Sequence, residues 1–515
     1  MRSCSAPWET GPDSVSAQRP FVRLIGGAYR IGANRQLRLA PMSLVPGQHW
    51  CIFGGNGAGK TLLATFMSGR VAGVSQPLFA DDFDPLTDIC EVSFAEQQRW
   101  WRHDDRHDVS EFNASASDAG TTVARLIADN EADPGRLDAL LDLLDITSLR
   151  GQGIRFLSSG QVRRALLARA LYRQPKLLIL DNPLESIDRH SARRIRDAIA
   201  GWMSASNCTL QLSRRRRDIL PGITHMAFMQ DLAVTAIGTR AEVIADIPDR
   251  VLADHADTGH LPSPCTGHQQ HLLRSGETLL SLRGVSAAYG NNLVFSDLYW
   301  DMRWGQYVLI DGPNGCGKST LLGLIDGDNH KAYGQPVWLF GRLRGTGESV
   351  WQIKSRFGIV SNELHNRYVK GWRVLDVVVS GFFDSQGLYD DSGASETATA
   401  RQWLQIMGLE ARQREYYHEL SFGEQRLALL ARAMVKQPSI LVLDEASVGL
   451  DDYHRDKLLA LLESIAEGGR TNIIYVSHDD EPCPGFITQR LRFDKHLAQA
   501  PATITVQQRI DGVWQ

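Results

Sequence analysis

Four short apolar runs punctuate the chain in two matched pairs. WCIF (50–53) and YVLI (307–310) lead into glycine-rich segments, whereas LLIL (177–180) and ILVL (440–443) each run into an aspartate, Asp181 and Asp444. Apolar runs of this length, bounded by turn formers, predict buried strands. Between them, LSSGQVRRALLARAL from Leu157 and LSFGEQRLALLARAM from Leu420 place apolar residues at helical spacing. Gly160 precedes Asp181 by 21 residues, and Gly423 precedes Asp444 by the same 21. A shared order with shared spacing predicts one unit duplicated along the chain.

The glycine-rich segments give the repeat its chemistry. GGNGAGKT comprises Gly54, Gly55, Asn56, Gly57, Ala58, Gly59, Lys60 and Thr61; GPNGCGKST comprises Gly312, Pro313, Asn314, Gly315, Cys316, Gly317, Lys318, Ser319 and Thr320. Both fit G-x-x-x-x-G-K-[ST] between a strand and a helix. Such a loop turns backbone N–H groups and the positive end of a helix toward a phosphate chain, and side chains on its glycines would block the approach. Lys60 and Lys318 are expected on the β- and γ-phosphates of a nucleotide. Thr61 and Ser319, with Asp181 and Asp444, are expected to complete the coordination of Mg²⁺.

The copies part company immediately after the aspartates. LVLDEASVGLD places Glu445 after Asp444, a carboxylate able to deprotonate an attacking water. LILDNPLESID places Asn182 there, an amide that orients water but cannot take its proton. Some thirty residues on, YVSHDDE carries His478 where QLSRRRR carries Arg214, permanently cationic and suited to holding phosphate oxygens. Glu185, beyond Pro183, is a poor substitute for the missing carboxylate, because a base must lie within hydrogen-bond reach of the water. Both departures predict a first half that binds nucleotide and hydrolyses it poorly.

This motif order resembles the ATP-binding cassette family, whose Walker A, signature, Walker B, D-loop and switch-histidine segments all occur here twice. The run LFGRLRGTGESVWQIKSRFGIVS (339–361), with SGFFDSQGLY (380–389), resembles a branch of that family named for molybdenum transport or photorepair. The resemblance implies an α/β fold of tandem P-loop NTPase domains, each a RecA-like core with a helical subdomain. It implies composite sites in which the signature of one cassette caps the Walker motifs of the other. One would join Lys60, Asp181, Asn182 and Arg214 to Ser421 and Gly423; the other would join Lys318, Asp444, Glu445 and His478 to Ser158 and Gly160. Glu445 and His478 would be the catalytic carboxylate and switch histidine. Tyr29 and Tyr289 match the aromatic that stacks on adenine, and Gln97 or Gln98 would supply the Mg²⁺-side glutamine in the first half, against Asn362 in the second. Ser159 and Phe422 depart from the first glycine of LSGGQ, and Glu424 from its Gln.

The domain expectation follows: a disordered segment 1–19, a first cassette 20–252, a linker 253–277 that is polar and bears Pro and Gly, and a second cassette 278–515. Length and composition agree, since 515 residues with 43% hydrophobic content can bury more than one core. A net charge of −4 gives no overall basic field for nucleic acid. Seven scattered cysteines without CxxC spacing fit reduced thiols in the cytoplasm. No stretch reaches the roughly 18 apolar residues of a membrane span, so a permease partner, placing the protein at the inner face of the plasma membrane, would be a separate chain. Both composite sites form within one chain, so a homodimer is not required. The alternative output is a cytoplasmic ATPase acting as a regulatory or repair switch without a permease.

Overall fold

The computed structural model describes residues 19–31, 35–71, 77–106, 120–128, 133–185, 187, 189–247, 261–262, 265, 276–289, 292–313, 315–326, 334–368, 371–385, 393–477, 483–494, 501–510 and 513–515. In the first half, parallel strands lie side by side in the order Ile89–Val92, Leu177–Asp181, Cys208–Ser213, His49–Phe53 and His225–Gln230, with Ala233–Thr239 antiparallel beyond them. The second half repeats the order with Phe357–Val360, Ile440–Asp444, Asn472–Ser477, Val308–Asp311 and Gln489–Asp494, then antiparallel Thr503–Ile510. The aspartate-ending runs and the runs before the glycine loops are therefore separated by one strand in each sheet. A parallel sheet is covered on both faces, which is why these strands read as unbroken apolar runs. All residues of His49–Phe53 and Cys208–Ser213 are buried.

Each half adds a smaller antiparallel layer. In the first it pairs Val22–Leu24 with Met42–Leu44 and Leu78–Phe79. In the second a long hairpin, Thr278–Tyr289 with Asn292–Arg303, pairs with Val337–Leu339. One apolar core in each half fills the space between this layer and the parallel sheet, and another joins the sheet to a cluster of helices. That cluster contains Phe94–Arg106, Val123–Ala128, Pro134–Leu143 and Ser159–Arg173 in the first half. Its counterpart contains Asn362–Arg367, Val374–Val379, Ala394–Ile406 and Phe422–Met434. The helical spacing in LSFGEQRLALLARAM is explained by depth, since ten residues of Phe422–Met434 are buried. Replacing one of its fully buried leucines, such as Leu429 or Leu430, with alanine would cost about 2–5 kcal/mol.

Most of the expected linker lies outside the described residues. Of those described, Pro262 accepts a hydrogen bond from Gln437 Nε2 at 2.7 Å, and Cys265 is buried in the second half's helical core. Part of the connecting segment therefore packs on the second half. Among the described residues, no helix is long and apolar enough to cross a membrane, and no cluster of His, Cys, Asp and Glu could hold a metal ion by itself.

Candidate nucleotide sites

The glycine loops owe their shape to crowding. A Cβ on Gly54 would lie 2.2 Å from the Met229 carbonyl oxygen, and one on Gly312 would lie 2.5 Å from that of Phe493. Each of those carbonyls belongs to the strand alongside the loop, so only glycine lets the loop pass. Beyond them, helices Lys60–Met67 and Lys318–Asp326 begin at the lysines. Lys60 Nζ donates to the carbonyls of Gly54 and Gly55 at 2.8 and 2.7 Å; Lys318 Nζ does the same to Gly312 and Pro313 at 2.7 and 3.0 Å. Both ammonium groups are thus folded back into the curl of their loops. Burial, and then the neighbouring Arg214 charge, lowers the Lys60 pKa to about 8, partly offset by Asp181 and Asp451.

Thr61 Oγ1 donates to Asp181 Oδ2 at 3.2 Å, bringing together the hydroxyl and carboxylate expected around Mg²⁺. Burial raises the Asp181 pKa, against the pull of Lys60. The donors are oxygens, the chemistry a hard cation selects.

Asn182 and Glu445 occupy the same backbone position. Both have left-handed φ, 45° and 52°, and both donate their N–H to the adjacent strand, to Leu212 O at 3.1 Å and Val476 O at 3.2 Å. Left-handed backbone strains a glutamate more than an asparagine, so Glu445 holds a conformation that its residue type disfavours. Asn182 Nδ2 instead donates to Asp181 Oδ1 at 2.6 Å. Arg163 reaches this turn from the helix Ser159–Arg173, donating to the carbonyls of Asn182 and Glu185 at 2.8 and 3.0 Å.

Strand register also equates Arg214 with His478. Ser213 pairs with Phe53 and Ser477 with Asp311, and Arg214 and His478 are the next residues. Arg214 forms an ion pair with Glu185, so the guanidinium is already held at the edge of the site. His478 and Asn314 lie outside the described residues, as does the side chain of Tyr289.

The two halves meet over the first glycine loop. A cavity of about 1270 Å³ is lined on one side by Gly55, Asn56, Gly57, Ala58, Arg214 and Arg216, and on the other by Ser421, Glu424, Asp451 and His454. A Cβ on Gly57 would stand 3.6 Å from that of Ser421. The Asn56 N–H donates to Asp451 Oδ2 at 2.6 Å, and Asn56 Nδ2 to the Gly449 carbonyl at 2.9 Å. Arg215 donates to the carbonyls of Leu450 and Ser447 at 2.8 and 2.5 Å, and the Arg216 N–H to Asp452 Oδ2 at 3.0 Å. His454 Nδ1 lies 2.8 Å from the other Asp451 oxygen. Burial pushes the Asp451 carboxyl up, yet the hydrogen bonds from His454 and Asn56 hold it at about 2.

Ser158 and Ser421 are the N-caps of the helices Ser159–Arg173 and Phe422–Met434, each closed by a capping box, with Gln161 and Glu424 as the respective partners. Gly160 and Gly423 sit in the first turns of those helices. A Cβ on Gly423 would strike His454 at 2.2 Å, so this glycine keeps the signature helix tight against the helix Asp452–Glu467 of its own half.

Two expectations meet different geometry. Val92 and Val360 hold the same register, opposite Leu180 and Leu443, so Phe94 shares the position of Asn362. Gln97 lies one helical turn further on, buried, with no hydrogen-bond partner for its amide. Asn362 is held by Arg426. Tyr29 packs on Phe66 with ring centroids 4.5 Å apart and is absent from the lining of the cavity. Sequence reasoning missed Asp451, Arg215 and His454 as bridging or bracing residues, although Asp451 closes the LVLDEASVGLD run that drew attention to Glu445.

Comparison with known proteins agrees with two copies of one domain along the chain. The ABC transporter family model matches residues 37–185 and 295–448. The chain is 33% identical over 481 residues to the ABC transporter ATP-binding protein ModF of Escherichia coli, covering 92% of this chain and 96% of that one. An uncharacterized ABC transporter ATP-binding protein of Schizosaccharomyces pombe is 26% identical over 467 residues, covering 87% and 92%. In fold, the chain is similar to the archaeal ribosome recycling factor aABCE1 solved with the stalk protein aP1, with TM-score 0.57, 16% identity and coverage of 93% and 89%. It is also similar to a structure titled RNase-L Inhibitor, with TM-score 0.56, 15% identity and coverage of 93% and 90%. The chain belongs to the ABC transporter family as an ATP-binding protein with two tandem cassettes, an ATPase that resembles ModF.

Proposed function

We propose that the chain is an asymmetric ATPase whose first composite site holds ATP and whose second hydrolyses it. The observation that carries this reading is the shared backbone of Asn182 and Glu445, which leaves the side chain as the difference between the two positions. In the second site Glu445 takes the proton of the attacking water and His478 bonds the γ-phosphate. In the first, Asn182 cannot take a proton, and Arg214 holds oxygens without shuttling protons. Mg²⁺, held by Thr61 and Asp181 in one site and by Ser319 and Asp444 in the other, would neutralise charge on the β- and γ-phosphates. Ser421 and Gly423 close the first site, a reading supported by the cavity that Ser421 shares with Gly57. Ser158 and Gly160 close the second. The proposed domain limits are 20–252 and 278–515, joined by a linker 253–277 whose Pro262 and Cys265 pack on the second half.

For the output, the resemblance to ModF favours the ATP-binding component of a molybdate-linked transport system, acting through a separate permease at the cytoplasmic membrane face. One observation favours a cytoplasmic switch without a permease: Phe94 and Asn362 occupy the positions where a glutamine would link Mg²⁺ to a transport partner. Pull-down with Glu445→Gln protein loaded with ATP separates the two. Recovery of a membrane permease, with stimulation of wild-type turnover by it, supports transport; full turnover without membranes and a non-membrane partner supports the switch.

A further inference from the structure

The signature segments of the two halves share their fold but not their charge. The short turns Thr147–Leu149 and Ile154–Phe156 precede Ser158, and Glu410–Arg412 and Tyr417–Glu419 precede Ser421 at the same spacing. Leu149 therefore corresponds to Arg412, and Gln161 to Glu424. In the first half, Gln161 Oε1 accepts the Ser158 N–H at 2.9 Å; in the second, Glu424 Oε2 accepts the Ser421 N–H at 2.8 Å. The cap is the same, but the second carries a full negative charge and lines the cavity opposite Gly55–Ala58.

Arg412 answers that charge. Its Nη1 lies 2.6 Å from both carboxylate oxygens of Glu424, while Nε and Nη2 reach Glu415 Oε2 at 2.9 and 2.6 Å. Arg412 also lines the cavity. We propose that Arg412 is a positioning residue for ATP at the first composite site: it holds the Glu424 carboxylate on the Ser421 cap and offsets its charge, so that phosphates can approach the signature helix. The proposal rests on the reading that ATP binds between the Lys60 loop and Ser421. The other signature segment carries no carboxylate on its cap, with Leu149 and Gln161 in place of Arg412 and Glu424, and needs no arginine there.

Removing Arg412 would leave an uncompensated carboxylate beside the triphosphate, an electrostatic penalty on the order of tenfold in affinity, and salt would screen part of it. The test measures binding of Mg²⁺ and the fluorescent analogue mant-ATP to full-length Lys318→Ala protein, which isolates the first site, at low and high ionic strength. Arg412→Leu is expected to bind about tenfold more weakly than this parent, with a gap that narrows in high salt. Adding Glu424→Gln to Arg412→Leu recreates the neutral pair of the first half and is expected to restore parental affinity. Parental binding by Arg412→Leu, or a double variant as weak as the single, overturns the proposal. If Arg412→Leu does not fold, Arg412→Gln carries the test, since it removes the charge but keeps a polar side chain; weakened binding rescued by Glu424→Gln is expected, and indifference overturns. A parent that binds no mant-ATP, or whose binding survives Lys60→Ala, refutes the reading of the first site and the proposal with it.

Discussion

Asp451→Asn probes the contact that joins the halves. The carboxylate is 5% exposed and accepts the Asn56 N–H across the interface as well as bonds from His454. Its pKa falls from 3.8 to about 2 in the folded chain, and at 1.36 kcal/mol per unit this amounts to about 2 kcal/mol of stability near neutral pH. Because the folded-state value is depressed, that contribution is complete above the unfolded pKa and disappears as pH falls through about 2; roughly half remains at pH 3. Urea unfolding of wild type and Asp451→Asn from pH 7 to pH 2.5 should therefore show a gap of about 2 kcal/mol that closes on acidification. Amide exchange at Asn56 should accelerate in the variant at neutral pH. A gap that is the same at pH 3 and pH 7, or unchanged protection at Asn56, would refute the assignment of Asp451 as an ionised bridge.

Three further outcomes are expected. Nucleotide affinity of the first site should fall as pH rises through about 8, where free Lys60 loses the proton that bound phosphate needs, by up to about tenfold per pH unit; constant affinity from pH 7 to 9.5 in Lys318→Ala protein would contradict this. Gly54→Ala, which places a methyl group 2.2 Å from the Met229 carbonyl oxygen, should abolish binding at the first site and destabilise by about 1–3 kcal/mol, with mant-ATP binding at the second site as the control. Glu185→Gln should release Arg214 and tighten ATP at the first site by roughly three- to tenfold; a collapse of phosphate release instead would make Glu185 a base.

The fold was legible because its signals are local. WCIF, YVLI, LLIL and ILVL are buried strands, and the equal spacing of Gly160 to Asp181 and Gly423 to Asp444 carries over into two sheets of the same strand order. The Asn182 and Glu445 equivalence was also visible, since both directly follow a strand-ending aspartate. Gln97 was less accessible: its segment has several candidate residues, and strand pairing rather than counting puts Phe94 at the Asn362 position. Tyr29 illustrates that an aromatic near a phosphate loop is equally suited to packing, here on Phe66. The interface depends on contacts between residues 395 apart, Asn56 and Asp451, which no local pattern encodes. Arg412 could have been found by aligning the two signature segments and noticing that a charged pair replaces Leu149 and Gln161.

The central claim is that hydrolysis belongs to Glu445 and not to the half containing Asn182. Steady-state phosphate release from Glu445→Gln and Asn182→Gln, measured beside wild type at saturating Mg²⁺ and ATP, tests it most directly. Glu445→Gln should lose on the order of a hundredfold or more, the scale of a missing general base, while Asn182→Gln stays near wild type. Abolished turnover in Asn182→Gln with turnover preserved in Glu445→Gln would contradict the account.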